Sequence, residues 1–286
     1  MLISTDSINT LAERIENSSE VFCNGLFLSA RWFTVSQLDR DGVQVIIMPD
    51  RESAEYCSVD LYNLTEGDKV FFLPDSGKTL ERSNYKSSLG VQRTSAIGKI
   101  LEYKEGQLFI VTYPSALEEE IPSAEQIRKS LLMLCVGDEI SHESIVDTLF
   151  ASGFERVDFV SEPGQFAIRG AIVDIFSYSY NDPFRISFFG DEIDSISVFD
   201  CNTQLSKEKI HKAQIYPDIT LSEDESGLVN ISDILPDDAL IWLDSSDMYR
   251  NKDFYSGFDR FRRIYMELPL SRQNEEAVKF NIAPQP

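Results

Sequence analysis

The sequence of 286 residues contains only two histidines and four cysteines, and no two cysteines form a CxxC pair. Zinc sites need these residue types clustered at short spacing, and nucleophilic catalysis needs a base beside the nucleophile. Neither His142 nor His211 stands in such a context, so we expect no metal site and no catalytic residue. The cysteines are interpreted as reduced thiols of a cytosolic protein's core.

Long apolar runs and basic residues are scarce as well. No stretch approaches the roughly 18 apolar residues of a membrane span, and the first 19 residues lack the apolar core of a signal peptide. The 26 Lys and Arg face 48 Asp and Glu, which gives a net charge of -22. Such a charge repels phosphate backbones. We therefore expect a soluble, cytoplasmic protein that does not bind duplex DNA on its own.

Helix-like and strand-like patterns alternate along the first 125 residues. Helical spacing of apolar residues predicts helices at 6–17, 51–61 and 88–103. Short apolar runs predict buried strands at 20–23, 43–48, 69–73 and 108–112. This alternation is typical of an α/β fold with a largely parallel sheet.

From about residue 123 the pattern changes. Helices are predicted at 124–134 and 141–150, and two long β runs follow at 164–176 and 184–200. A polar connection with Asn, Asp and Pro joins the two runs, as in an antiparallel hairpin. Antiparallel β structure after a parallel region predicts an inserted second domain.

An α/β pattern returns after Pro217, with a strand at 239–243 and a helix from about 245 to 267. Four aromatic residues follow the spacing of one helical face and are expected in the core: Phe254, Phe258, Phe261 and Tyr265. Arg260, Arg262 and Arg263 would then lie on the outer face. That face is either merely solvated or an interface, and a protein partner fits better than DNA.

The tetrapeptide Ser76-Gly77-Lys78-Thr79 follows a predicted strand and raises the question of nucleotide binding. A P-loop needs a glycine five positions before Gly77, because its backbone amides must wrap the phosphates. That position is Phe72, inside the strand. A second strand-to-glycine turn, at Gly25, continues as Phe27-Leu28-Ser29 instead of Gly-Lys-Thr. We interpret the tetrapeptide as a chance match and predict no nucleotide cofactor.

Side chains alternate between two faces along the second β run. Three apolar side chains form the face expected in the core: Phe184, Ile186 and Phe188. Arg185, Ser187 and Phe189 then share the other face. Arg169 from the first run joins this second face if odd residues pair with odd residues.

Two arginines and a phenylalanine on an acidic protein form the kind of cluster that anchors a protein interface. The competing interpretation is that Arg169 and Arg185 simply pair with a neighbour such as Asp174 or Asp191, which would contribute little. The pattern by itself favours neither.

The same segment resembles the domain-2 signature shared by UvrB and the transcription-repair coupling factors (Mfd). The matching residues are PGQFAIRGAIVDIF at 163–176, PFRISFFGDEIDSISVFD at 183–200 and NTQ at 202–204. Weaker similarity covers most of the chain, including YPSAL at 113–117. UvrB would carry an intact Walker A loop, so the chain is more similar to the coupling factors.

The resemblance implies a degenerate RecA-like or Rossmann-like α/β domain that carries an inserted α+β domain with an antiparallel β-hairpin. Domain 1a would span residues 1–124, domain 2 residues 125–214 and domain 1b residues 215–286. A non-catalytic docking module is implied, which recruits UvrA to stalled RNA polymerase in transcription-coupled nucleotide excision repair.

The family's UvrA-contacting residues fall on Arg169, Arg185 and Phe189. Further implied partners are the remaining domains of the same full-length chain, which would mask domain 2, and RNA polymerase and DNA through downstream domains. The alternative is the N-terminal part of a UvrB-like excision-repair helicase with residual P-loop ATPase or DNA-binding activity.

Overall fold

A computed structural model describes residues 4–26, 29–65, 67–77, 83–221, 227–244, 255–266 and 277–280. The chain divides into two compact units. The first, the parallel-sheet unit, comprises residues 1–75, 100–120 and 230–286, and the second, the meander unit, comprises residues 76–99 and 121–229. The domain boundaries suggested by the sequence, after residues 124 and 214, stay a prediction.

The described residues form eight α-helices and seventeen β-strands, numbered here in chain order. The helices are α1 (Thr5–Asn17), α2 (Ala30–Gln37), α3 (Arg51–Leu64), α4 (Ser83–Glu102), α5 (Pro114–Glu118), α6 (Ala124–Ser130), α7 (His142–Ala151) and α8 (Ile231–Ile234). The first nine strands are β1 (Glu20–Asn24), β2 (Gly42–Ile47), β3 (Val70–Phe72), β4 (Gln107–Thr112), β5 (Ile121–Pro122), β6 (Leu132–Cys135), β7 (Glu155–Arg156), β8 (Gln165–Arg169) and β9 (Ile172–Ile175). The others are β10 (Phe184–Phe189), β11 (Glu192–Phe199), β12 (Ser206–Ile210), β13 (Lys212–Ile215), β14 (Leu228–Val229), β15 (Leu240–Leu243), β16 (Arg262–Tyr265) and β17 (Val278–Lys279).

Seven strands of the parallel-sheet unit form one parallel sheet in the order β17-β1-β16-β15-β2-β4-β3. All six residues of β2 and all four of β15 are buried, because a parallel sheet inside an α/β fold is covered on both faces. Helix α3 begins where the Asp50 carboxylate accepts a hydrogen bond from the Ser53 amide at 2.8 Å, a standard N-cap. The predicted α/β fold with a largely parallel sheet is confirmed.

The meander unit contains a six-stranded sheet in the order β12-β11-β10-β9-β8-β7. Its strands pair antiparallel except for β7 with β8. Phe166, Ile186 and Ile196 lie on its inner face, in one core with Ile145 and Leu149 of α7. The predicted antiparallel connection is confirmed, since Ile175 of β9 pairs with Phe184 of β10.

Each of the two predicted β runs is in fact two strands joined by a tight turn. Arg169 pairs with Ile172 across Gly170, and Phe189 pairs with Glu192 across Gly190. Both glycines have positive φ, 62° and 66°, which L side chains rarely adopt. The single expected hairpin is therefore a larger meander.

Two helix predictions were wrong at their ends. The helix predicted at 124–134 ends at Ser130, and strand β6 follows it. The helix predicted at 245–267 does not continue past Tyr255, where a 3-10 turn, Ser256–Phe258, and then strand β16 follow. Strand β16 lies between β1 and β15, inside a sheet that is covered on both faces. Its sequence therefore lacks the alternation of apolar and polar residues that would have predicted a strand. Within the described ranges, no helix has the length and apolarity to cross a membrane.

A matched pair of valine substitutions tests the position of the core. Val45 is fully buried in β2, whereas Val59 in α3 is exposed. We expect Val45→Ala to lower the free energy of unfolding by about 2–3 kcal/mol, because it removes two buried methyl groups and leaves a cavity. Val59→Ala should change it by less than about 0.5 kcal/mol.

Urea unfolding followed by tryptophan fluorescence measures this, because Trp32 and Trp242 are the two tryptophans of the sequence and both are buried in the parallel-sheet unit. Equal effects of the two substitutions would contradict the assigned core.

Candidate functional site

The outer face of the meander sheet carries all three residues singled out from the sequence. Across the strands, Ala167, Asp174 and Arg185 are consecutive partners in one row. Arg169 lies in the next row and Phe189 at the end of β10, where the turns at Gly170 and Gly190 also lie. The alternation expected for β10 is confirmed by its burial, with Phe184, Ile186 and Phe188 inside.

A buried carboxylate joins the two arginines. The Asp174 side chain is fully inaccessible to solvent, and it accepts hydrogen bonds from Arg185 Nε at 2.8 Å and Nη2 at 3.0 Å. Arg169 Nη2 donates to the same carboxylate. We call Asp174, Arg169, Arg185 and Gln204 the arginine node. With two cations and one anion, its formal charge is positive.

Gln204 enters the node from the turn before β12. Its side-chain oxygen accepts from Nη2 of Arg185 at 3.2 Å and of Arg169 at 3.5 Å, and its backbone oxygen accepts from Arg185 Nη1 at 3.1 Å. The backbone of Gln204 has φ 60°, which only a well-held turn maintains in a residue other than glycine. Asp200 holds this turn by accepting from the amides of Asn202 and Thr203, both at 2.9 Å.

Aromatic rings lie below and beside the node. The Arg185 guanidinium stacks over the buried Phe199 ring at 4.2 Å, and Arg169 stacks over Phe159 at 5.0 Å. Phe189 is 80% exposed, Leu205 69% and Phe159 61%. Large apolar side chains exposed around paired arginines are typical of a protein-binding surface.

Alternation predicted the shared face of Arg185 and Phe189, which the burial of β10 confirms. The odd-with-odd pairing expected for Arg169 was wrong, since Asp174 of β9 pairs with Arg185 and Arg169 lies on the next strand, β8. The structure nevertheless brings Arg169 and Arg185 together. It also confirms that both arginines pair with Asp174, the neighbour proposed in the competing interpretation. Sequence reasoning missed Gln204 as a side-chain partner and missed the exposed Phe159 and Leu205. A signal for Gln204 was its place in the quoted NTQ motif, but the contact spans 19 residues of chain.

The positions considered for phosphate binding are only partly described. Phe72 lies inside β3, so the place where a P-loop needs glycine is strand. Lys78 and Thr79 lie outside the described residues, as do Phe27 and Leu28. Gly25 has φ 88°, and a Cβ built there would lie 2.1 Å from the Phe280 carbonyl oxygen, so backbone packs directly against this turn.

An ion pair lies beyond the carboxyl ends of the parallel strands, where α/β proteins commonly bind ligands. Arg31 in the first turn of α2 pairs with Asp244, which follows β15, and both side chains are largely buried. Burial raises the pKa of the Asp244 carboxyl, and the charge of Arg31 and its hydrogen bond oppose that rise. The pair consists of one cation and one anion, so its formal net charge is zero.

The aromatic residues of the last segment are buried as expected, although not on a helix. Phe258, Phe261 and Tyr265 are each at most 4% exposed. Arg263 was expected on an outer face but is buried, where Nη2 lies 2.9 Å from the Glu20 carboxylate. Phe254 and residues 245–253 lie outside the described residues.

Arg260 remains at the surface and donates to the Ser232 carbonyl at 2.7 Å. The acidic residues Asp191, Glu192 and Asp194 are exposed. In the part of the chain that the structure describes, no group of three His, Cys, Asp or Glu side chains could hold a metal ion.

Comparisons with known proteins relate the chain to DNA-repair proteins. The UvrB interaction domain family matches residues 132–220, the part of the chain that contains the arginine node. The chain is 31% identical over 206 residues, 71% of its length, to the transcription-repair-coupling factor of Bacillus subtilis. It is 30% identical over 186 residues, 64% of its length, to that of Haemophilus influenzae.

A third relative is the transcription-repair-coupling factor of a Staphylococcus aureus strain, at 26% identity over 282 residues and 95% of the chain. The matched segments are 16–24% of the length of these relatives. The chain thus spans about a quarter of their length or less.

Acid titration of Asp200 tests the turn that carries Gln204. The amide of Thr203, and then that of Asn202, hydrogen-bonds to the ionised carboxylate and lowers its pKa from the ordinary 3.8. Because the folded pKa is lowered, the stabilising contribution is present above pH 3.8 and is lost as the pH falls through the folded pKa.

We expect the Asn202 and Thr203 amide signals in NMR to titrate with a midpoint below 3.8, and Asp200→Asn to abolish that titration. A midpoint at or above 3.8 would mean that the carboxylate does not hold the turn.

Proposed function

Since the chain belongs to the transcription-repair-coupling-factor family as an N-terminal, UvrB-like module, we propose that it is a non-catalytic docking module that recruits UvrA in transcription-coupled nucleotide excision repair. The partner-binding residues in this proposal are Arg169, Arg185 and Phe189. The matched relatives are named as transcription-repair-coupling factors of bacteria, whose transcription and DNA repair take place in the cytoplasm, so the proposal also places the module there.

The observation that carries the proposal is the exposure of Phe189 on the same face of the sheet as the arginine node. A phenylalanine that is 80% exposed gains nothing from the free chain's own core. Burying its ring against a partner would remove a large apolar surface from water, and the neighbouring guanidiniums supply directional donors. The whole arrangement lies within residues 132–220, which match the UvrB interaction domain family.

The absence of catalysis in the proposal rests on two features. Phe72 stands in β3 where a P-loop needs glycine, and the chain does not present a free cation from Arg31, because Asp244 pairs with it. A phosphate group needs unpaired donors and a backbone cradle.

The matched relatives are much longer than this chain, so the proposal includes partners outside it. The remaining domains of the full-length protein would contact RNA polymerase and DNA. They would also cover the outer face of the meander sheet until UvrA competes for it. Direct DNA binding by this module is disfavoured by its net charge of -22.

Titration of purified UvrA against variants of the 286-residue chain tests the docking surface. We expect Phe189→Ala and Arg169→Ala each to weaken binding by about 2 kcal/mol or more, roughly thirtyfold, as interface hot spots do. The matched control is Phe150→Ala, since Phe150 is a half-exposed ring of the same unit that packs on Phe166 of the inner face. Calorimetry measures the affinity, and circular dichroism verifies the fold.

Affinity that stays unchanged in both variants, with the fold intact, would rule out this surface as the docking site. A loss of similar size in Phe150→Ala would show that the effect comes from general destabilisation.

A nucleotide titration tests the enzymatic alternative. We expect no saturable binding of Mg-ATP at millimolar concentration, because the sequence has Phe72 where a P-loop that ends at Lys78 needs its first glycine. Calorimetry of the wild type and of Lys78→Ala measures this. Saturable binding that Lys78→Ala abolishes would establish an active P-loop and overturn the non-catalytic assignment.

A further inference from the structure

The two arginines of the node have different numbers of donors to spare. Arg185 makes four hydrogen bonds, two to the Asp174 carboxylate and two to Gln204, and its side chain is 18% exposed. Arg169 is 35% exposed and reaches Asp174 and Gln204 through Nη2 alone. Among the described residues, nothing accepts a hydrogen bond from its Nε or Nη1.

We propose that Asp174 is the positioning residue of this surface, which fixes Arg185 as an internal brace and aims the remaining donors of Arg169 at the partner. The inference rests on the docking function proposed above and deepens it. It assigns direct contact with the partner to Arg169 and Phe189. Asp174 and the buried part of Arg185 act indirectly, because they hold Arg169 in place.

The carboxylate can do this because it lies fully buried at the centre of the node. A guanidinium has a planar fork of donors, and two parallel bonds to one carboxylate fix its orientation. Arg185, fixed in this way, holds the Gln204 oxygen at 3.2 Å, and the same oxygen lies 3.5 Å from Arg169. The orientation of Arg169 therefore depends on Asp174 directly and through Gln204.

The charge of the node indicates what the partner presents. One carboxylate faces two guanidiniums, so an excess positive charge remains at the surface of a chain whose net charge is -22. The outward donors of Arg169 suit a carboxylate, and the exposed rings of Phe159 and Phe189 suit an apolar neighbour. We expect an acidic side chain next to an apolar patch on UvrA.

A double-mutant cycle on UvrA affinity tests the role of Asp174. The four proteins are the wild type, Asp174→Asn, Arg169→Ala and the double variant. Asparagine keeps the size but loses the charge and turns an amide donor toward the guanidiniums, so Asp174→Asn should weaken binding about tenfold in the wild type. In the Arg169→Ala background the same change should cost only about twofold, because the group that Asp174 aims is gone.

An equal loss in both backgrounds, or no loss in the wild type, would overturn the inference. Melting temperatures of all four proteins are compared, since a purely structural role would lower stability without this coupling. The proposed function has its own criterion: if Phe189→Ala and Arg169→Ala bind UvrA like the wild type, the docking function itself fails.

A second measurement needs no variant and covers the case in which Asp174→Asn does not fold. The Arg185 Nε proton is held by the Asp174 carboxylate, so its NMR signal should exchange with water more slowly than that of Arg260, whose guanidinium is at the surface. Exchange as fast as that of Arg260 would show that the brace is not formed in solution and would overturn the inference.

Discussion

A charge buried at the centre of the meander sheet must be paired, and the outer face of that sheet is organised around this requirement. Asp174 has no access to water, so its carboxylate is tolerable only because two guanidiniums surround it. These guanidiniums come from β8 and β10, the strands on either side of β9. Pairing the buried charge therefore brings Arg169 and Arg185 together.

One strand connects this polar surface to the core. Along β10, Ile186 and Phe188 pack inside, while Arg185 and Phe189 project from the other face. A slip of one residue would bury the arginine and expose the isoleucine, so the apolar face fixes the register of the polar one. The glycine turns at Gly170 and Gly190 end the strands beside Phe189. The burial of the apolar side chains of β10 thus determines which residues lie on the outer face of the meander sheet.

The sequence predicted those parts of the fold that depend on local periodicity. The two-residue alternation of β10 gave its faces, and apolar runs gave the parallel strands. Contacts between distant segments produce no periodic pattern in the sequence. One example is the contact of Gln204 with Arg185, which depends on a turn with positive φ. The prediction that a helix continues past Tyr255 to residue 267 was wrong for a related reason. Phe258, Phe261 and Tyr265 match helical spacing, but they are buried around a 3-10 turn and a central strand.

Two of the buried ion-pair sites among the described residues differ in their balance of charge, and this difference supports the proposed docking surface. Arg31 and Asp244 are one cation and one anion, so the formal charges of this pair cancel. In the arginine node one anion serves two cations, and the second guanidinium keeps donors directed to solvent. Apolar rings exposed next to that surplus charge supply the area that a partner can bury. In the proposed docking surface, the excess of cations over anions is therefore the feature that would leave donors for a partner.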